Sequence, residues 1–359
     1  MKFFFPFFFF LFCLPNLLLS EKVFTNKTLD NFSKPYYKRI CLLTGFYCGS
    51  FPLRPISPEI MQKKLNSFIF GMEEVIDTVV QALTIHFDED GDSITESRPL
   101  SFYLFGETGT GKTYFVNQLA KVLYTDQKAL YKIDCNEYNN IRKSFFKNKM
   151  IKHIKTYRFG MIFFDEAEKC ADLFQDLLQF FQEGIIEEGP NKADFKNGII
   201  FLASNFPSHL LTNPIYKDFP ILDLSPNWMR EELIDQISII FSGSRFFNRI
   251  GYFIPFFSHT KEMLKEILSM NLIAFTKANS GKLFRDCIFE DSLIEEIANS
   301  AILNAGDAMK LLNNLILSEI KRMSQINFNS EECLIASFVN ERYVIRKRKC
   351  ENNKPIKEL

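Results

Sequence analysis

Between residues 100 and 203, four short apolar runs recur: LSFYLF (100–105), LYKID (130–134), GMIFFD (160–165) and GIIFLA (198–203). They show little polar alternation, which predicts strands buried on both faces. Amphipathic stretches separate them. In segment 112–124, Val116, Leu119, Ala120 and Leu123 fall on one helical face. Strands alternating with helices predict a parallel sheet covered by helices on both faces. A further run, GYFIPF (251–256), extends the series.

Upstream, Met61, Leu65 and Phe68 keep helical spacing, a second helix fits Glu73 to His86, and DEDGD (88–92) reads as a solvated loop. After Phe257 the strands nearly stop. Helices fit 260–278, 290–303 and 306–323, with one candidate strand at LIASFV (334–339). The expected architecture is α/β, with a parallel-sheet domain over 59–257 and a smaller, mostly helical domain over 258–345. A basic tail, 346–359, opens with RKRK, read as the solvated end of the second domain, with contact to anionic lipid or a partner as the alternative. A chain of 359 residues with 47% hydrophobic content can fill two such units. Lys+Arg and Asp+Glu are both 43, a balance that gives no support to nucleic-acid binding.

The first strand runs into FGETGTGKT, which contains G-x-x-x-x-G-K-[ST] and opens a helix. In that setting Gly106, Gly109 and Gly111 let the backbone of Glu107, Thr108 and Thr110 close around phosphate oxygens. Lys112 can reach the β- and γ-phosphates of ATP, and the Thr113 hydroxyl can ligate Mg²⁺. MIFFDEAEK (161–169) ends a strand in two carboxylates. Asp165 suits a Mg²⁺ ion, held through water, and Glu166 suits a general base acting on an attacking water. IIFLASNFPS (199–208) ends a third strand in Ser204 and Asn205. Asn205 can hold the attacking water or the γ-phosphate; the alternative is a cap on the turn before Pro207. No Cys-x-x-Cys pair or Cys/His cluster is present, so zinc is not indicated.

The N-terminus, MKFFFPFFFFLFCLPNLLLSEK, has the pattern of a secretory signal over 1–20, with cleavage or retention as an anchor both open. Residues 21–58 form an N-terminal extension carrying glycosylation acceptors at Asn26 and Asn31. The terminal Lys357-Glu358-Leu359 resembles part of a retention signal of the endoplasmic reticulum. Of eight Cys, Cys41 and Cys48 could form a local disulfide in an oxidising lumen or remain two buried thiols.

The order of FGETGTGKT, KIDCNEY, IFFDEAEKCADLFQDLLQFFQEG, ADFKNGIIFLASNFPS and FFNRIGYFIPF resembles the Clp branch of AAA+ ATPases, and within it most resembles the torsins. The likeness covers about Ile60 to Leu317. It implies a P-loop AAA+ domain followed by a helical lid, an ATP·Mg²⁺ site between them, and ring or filament assembly. It also implies protein substrates in the endoplasmic-reticulum lumen and a membrane-anchored lumenal activator that docks like a neighbouring subunit. The chain departs from torsins in three places. Thr113 stands where torsins have Asn. Arg249, in FFNRIG, stands where Clp proteins carry an arginine finger and torsins have none. Gly306, Asp307 and Ala308 replace the Gly-Cys-Lys of the torsin lid sensor, and Lys310 lies two places further on. The span NNIRKSFFKNKMIKHIKTYRFG lacks the Gly-Tyr-Val-Gly of Clp pore loops. Phe145 and Phe146 are its candidate pore aromatics, with buried helix contacts as the expected role.

Three functions fit at this stage. The first is an ATP-hydrolysing remodelling enzyme of the lumen that does not thread substrate. The second is a nucleotide switch that assembles with little turnover. The third is a Clp-like chaperone of a secondary plastid, with 21–40 as its transit peptide.

Overall fold

A computed structural model describes residues 53–54, 56–87, 98–140, 143–212, 227–241, 246–301, 304–326 and 332–349. The signal-like run, the acceptors at Asn26 and Asn31, Cys41, Cys48, the DEDGD loop and the C-terminal tripeptide lie outside the described residues. The chain divides into two compact units, one of Met1–Phe105 with Thr113–Pro255, the other of Gly106–Lys112 with Phe256–Leu359. The phosphate-loop segment thus groups with the C-terminal unit. No helix among the described residues is long and apolar enough to cross a membrane.

The first unit opens with α1 (Pro58–Asn66), started by Ser57, whose side chain accepts from the Ile60 N–H, with proline in its first turn. Met61 and Leu65 point inward. Phe68, expected on the same stripe, lies beyond the helix and is exposed at 46%. Then come α2 (Glu73–Phe87), β1 (Leu100–Gly106), α3 (Lys112–Leu123), β2 (Leu130–Asp134), α4 (Lys143–Thr156) and β3 (Met161–Asp165). Two short helices, α5 (Ala171–Asp176) and α6 (Leu178–Glu183), lead to the hairpin β4 (Ile185–Glu188) and β5 (Asn191–Asp194). β6 (Ile199–Ser204), α7 (Asn227–Ile240) and β7 (Tyr252–Phe256) follow.

Five strands make one sheet in the order β2-β3-β6-β1-β7. The ladders β2–β3, β3–β6 and β1–β6 are parallel, with Leu100–Phe105 running beside Ile199–Ser204. Phe102 to Phe105, Met161 to Phe164 and Ile199 to Leu202 are all fully buried, so the inner strands are covered on both faces, as their apolar runs predict; β2, expected to be the same, lies at the sheet edge, with Ile133 buried but Lys132 and Asp134 exposed. Ser101 is the polar exception: its hydroxyl accepts from the Gly251 N–H at 3.0 Å and donates to the Arg249 carbonyl at 3.4 Å. That contact anchors the approach to β7.

The phenylalanine excess, 41 in all, has a structural outlet. Phe174 stacks on Phe246 at 5.0 Å, and Phe181 meets Phe246 edge-on at 4.6 Å. Phe247 continues the chain of rings to Phe241 and Tyr103. Edge-to-face and offset pairs of this kind add about 0.5–1.5 kcal/mol each beyond area burial.

The second unit contains α8 (Lys261–Asn279), β8 (Asp286–Phe289), α9 (Asp291–Ser300), α10 (Ala305–Leu311), a π-helical segment (Leu312–Leu317), α11 (Ser318–Ile326), β9 (Glu332–Val339) and β10 (Arg342–Lys349). Leu264, Leu268 and Leu272 of α8, four apart, pack with Leu293, Ile297, Leu312, Ile316 and Leu334. Here the expectation of a nearly strand-free domain needs correcting, because β10-β9-β8 form a three-stranded sheet. The basic run is solvated as expected, with Arg346 to Arg348 exposed, but it is a strand and not a tail: Arg346 to Lys349 pair with β9. Alternation explains it. Tyr343 and Ile345 face the core, and the arginines at 342, 346 and 348 take the other side, so charge hides the strand period.

Candidate nucleotide-binding and hydrolysis site

The phosphate loop leaves β1 at Gly106 and enters α3 at Lys112. Gly109 and Gly111 take φ of 85° and 99°, a left-handed region that side chains rarely adopt, so these turns require glycine. The Thr110 hydroxyl, buried, donates to the Glu107 carbonyl at 2.8 Å and closes the loop on itself. Lys112 is 8% exposed, and its ammonium donates to the carbonyls of Gly106 at 2.6 Å and Glu107 at 2.7 Å. A Cβ built on Gly111 meets no atom within 4 Å, so the loop keeps an open cradle there. That space, the buried ammonium and successive backbone N–H groups fit a triphosphate.

In the first unit, β3 ends at Asp165, and α3 presents Thr113 to it. The Thr113 hydroxyl lies 3.0 and 3.2 Å from the two Asp165 carboxylate oxygens. A hydroxyl and a carboxylate are hard oxygen donors of the kind Mg²⁺ takes beside phosphate oxygens. Burial pushes the Asp165 carboxyl above its usual range, opposed by the bonds from Thr113 and from the Glu166 N–H. Glu166 follows at φ 52° and ψ 50°, a left-handed conformation outside glycine. Non-glycine residues held there are strained and cluster at active sites.

Asn205 follows β6 at the same carboxyl edge of the sheet, beside the β3 end. Its N–H faces the Glu168 carboxylate at 3.5 Å. The neighbouring Phe206 N–H donates to the Ser204 hydroxyl, and the Phe206 carbonyl accepts from Tyr103 at 2.7 Å. Arg249 closes the short turn Phe247–Arg249 before β7, half-buried, and its Nε donates to the Gln182 side-chain carbonyl at 3.0 Å. Of the pore candidates on α4, Phe146 is buried as expected. Phe145 is not: it is 46% exposed, with the Lys149 ammonium 4.2 Å over its ring.

Sequence reasoning missed two features. Glu168, two residues beyond Glu166, reaches the Asn205 backbone. A disulfide joins Cys135, directly after β2, to Cys170, just past the Asp165-Glu166 corner. Asp134 and Asp165 are register partners, so the two cysteines follow adjacent strand ends, a proximity that only the parallel pairing of β2 with β3 reveals. In the second unit, Ala308 is fully buried and Lys310 is exposed, bridged to Asp307 at 3.5 Å.

Residues 98–251 match a family model described as AAA domain (Cdc48 subfamily). The chain is 28% identical over 237 residues to heat shock protein hsp98 of Neurospora crassa, covering 60% of this chain and 24% of that protein. It is 24% identical over 310 residues to chaperone protein ClpB of Gloeobacter violaceus, covering 80% and 34%. It is 30% identical over 230 residues to chaperone protein ClpB of Prochlorococcus marinus, covering 59% and 25%. The chain therefore spans about a quarter to a third of the length of these relatives. The domain match and the ClpB relatives indicate ATPase chemistry with ATP and Mg²⁺, which the loop and the Thr113–Asp165 pair fit. Over residues 98–251 the chain is similar to AAA domains, and over a longer stretch it is similar to Clp-type chaperones.

Proposed function

We propose that this protein is an ATP-hydrolysing, torsin-like remodelling ATPase of the endoplasmic-reticulum lumen that acts on proteins or their complexes without threading them through a pore. The observation that carries the hydrolytic part is the Thr113 hydroxyl set on both oxygens of Asp165, directly after a buried Lys112. Bound ATP·Mg²⁺ supplies the phosphoanhydride and the cation that spreads its charge. Lys112 and the loop N–H groups hold the β- and γ-phosphates. Thr113 and Asp165 would hold the cation. The Glu166 carboxylate accepts a proton from the attacking water, and Asn205 orients that water. Arg249 is the charged group offered to a neighbouring copy.

The lumenal part draws support from the Cys135–Cys170 disulfide, since such bonds persist in oxidising compartments. The signal-like N-terminal pattern and the acceptors at Asn26 and Asn31 agree with it. Absence of Gly-Tyr-Val-Gly between β2 and β3 favours action without threading. A membrane-anchored activator, as the torsin resemblance implies, and homo-assembly are the partners this reading admits.

Steady-state ATPase of the purified chain tests the reading: Glu166→Gln should bind ATP and hydrolyse it poorly. Equal rates in wild type and Glu166→Gln would refute the assignment of the base. For address, endoglycosidase H should shift gel mobility, and an unchanged band with plastid staining would replace the lumen by the plastid reading. The nucleotide-switch alternative draws on one observation, the acidic Asp307 and buried Ala308 where a lid sensor would place a cation. Turnover near background with intact ATP binding would favour it.

A further inference from the structure

The phosphate loop and the turn that starts α10 touch through main-chain atoms inside one compact unit. The Gly306 N–H donates to the Gly109 carbonyl at 3.2 Å. Asn304 caps the helix, its side-chain oxygen accepting from the Asp307 N–H at 2.7 Å, and the same carboxamide lies against Gly109 so closely that a Cβ there would run into it. A Cβ on Gly306 would stand 3.1 Å from the Gly109 Cα. A side chain on Gly109 would clash outright, whereas one on Gly306 would push the Gly109 backbone by a few tenths of an ångström.

A peptide unit is planar and trans, so its C=O and N–H point in opposite directions. Fixing the Gly109 carbonyl toward Gly306 fixes the Thr110 N–H away from it. The Thr110 side chain, buried and bonded to the Glu107 carbonyl, holds the next link. The direction of a loop N–H, one of the donors a triphosphate needs, is thus set from outside the loop.

We propose that Gly306, supported by Asn304, is a positioning residue for nucleotide binding. By this main-chain bond the start of α10 preorganises the phosphate loop, doing without charge what a basic lid sensor does with it. Lys310 has no part in this role. Its ammonium is engaged with Asp307, and its side chain is 75% exposed.

The inference rests on the nucleotide-binding reading, and one variant separates the two. Titration of the full chain with a fluorescent ATP analogue in the presence of Mg²⁺ is the measurement. If Lys112→Ala leaves affinity unchanged, the phosphate-loop reading itself fails. With that control lost as expected, Gly306→Ala should raise Kd and KM for ATP about tenfold, with kcat at saturation within about twofold. Alanine is a better helix former than glycine, which offsets the push on Gly109, so Tm should stay near that of wild type. A merely structural glycine would give the reverse, a lower Tm with affinity kept. Lys310→Ala should bind as wild type does. Should Gly306→Ala fail to fold, Asn304→Ser keeps a capping hydroxyl, deletes the carboxamide over Gly109, and should weaken binding without lowering Tm. Affinity within twofold of wild type in the folded glycine or asparagine variant, or a tenfold loss in Lys310→Ala, overturns the proposal.

Discussion

Glu166, the proposed base, holds a conformation that costs the fold energy. At φ 52° the left-handed backbone costs a non-glycine residue on the order of 1–2 kcal/mol. Asparagine tolerates that region better, so Glu166→Asn should keep or raise Tm while turnover falls about 10²–10⁴-fold, the range for losing a general base. Thermal melts beside steady-state ATPase check it, and a lower Tm would show that the Glu166 side chain itself stabilises the fold. Sequence alone placed Asp165 and Glu166, because an apolar run ending in two carboxylates is a local pattern. The strain at Glu166 was not legible, because it comes from the corner the chain turns after β3. His153 on α4 offers a pH test. Burial lowers its pKa to about 4, opposed by its bond to the Ala129 carbonyl, so it folds neutral. The unfolded chain takes up a proton near the ordinary histidine pKa, so this contribution is full above about pH 6.5 and is lost as pH falls toward 4. At about 1.4 kcal/mol per pKa unit, the loss from this group reaches up to about 3 kcal/mol. Unfolding curves across that window should be flatter for His153→Gln than for wild type.

Among the elements, the segment after β3 is held from several directions at once. Cys170 is tied to Cys135, and Glu168, between Glu166 and Cys170, faces the Asn205 N–H. Closing a loop of about this length removes roughly 3–4 kcal/mol of unfolded-chain freedom in the entropic account. Cys135→Ser with Cys170→Ser should therefore lower Tm by several degrees. It should also lower kcat more than ATP affinity, because the bond braces the corner that carries Glu166, not the phosphate loop. Unchanged kcat with lowered Tm would confine the disulfide to stability. β1, β3 and β6 were legible because a strand buried on both faces writes an unbroken apolar run, whereas the hairpin β4–β5 writes none. β10 was not, because only Tyr343, Val344 and Ile345 are apolar and the rest of RYVIRKRK is basic. The disulfide was not legible either: its cysteines are 35 residues apart and meet only because β2 pairs with β3.

At the scale of the whole molecule, the proposed function puts the loop, the cation pair and the base on a single chain and leaves Arg249 as the assigned group whose action would need a second copy. It sits half-buried at the end of a short turn, steadied by Gln182 of α6 and by its own carbonyl on Ser101. A guanidinium at a surface is solvated, and its charge is largely screened there. Against the γ-phosphate of an adjacent subunit, with water excluded, the same charge acts at lower dielectric and stabilises the developing transition-state charge far more. Such arginines are worth about 10³–10⁵ in rate where they have been removed from nucleotide hydrolases. Specific ATPase activity should therefore rise with protein concentration, by at least about tenfold between dilute and assembled samples. Arg249→Ala should flatten that rise while ATP titrations stay within twofold of wild type, because the group serves a neighbour's nucleotide and not its own. Sedimentation at the same concentrations separates lost assembly from lost catalysis: the variant should still assemble. Gln182→Ala, which removes the steadying contact but leaves the charge, should fall between the two. Specific activity independent of concentration, and equal in wild type and Arg249→Ala, would remove Arg249 from catalysis and leave activation to a separate partner chain.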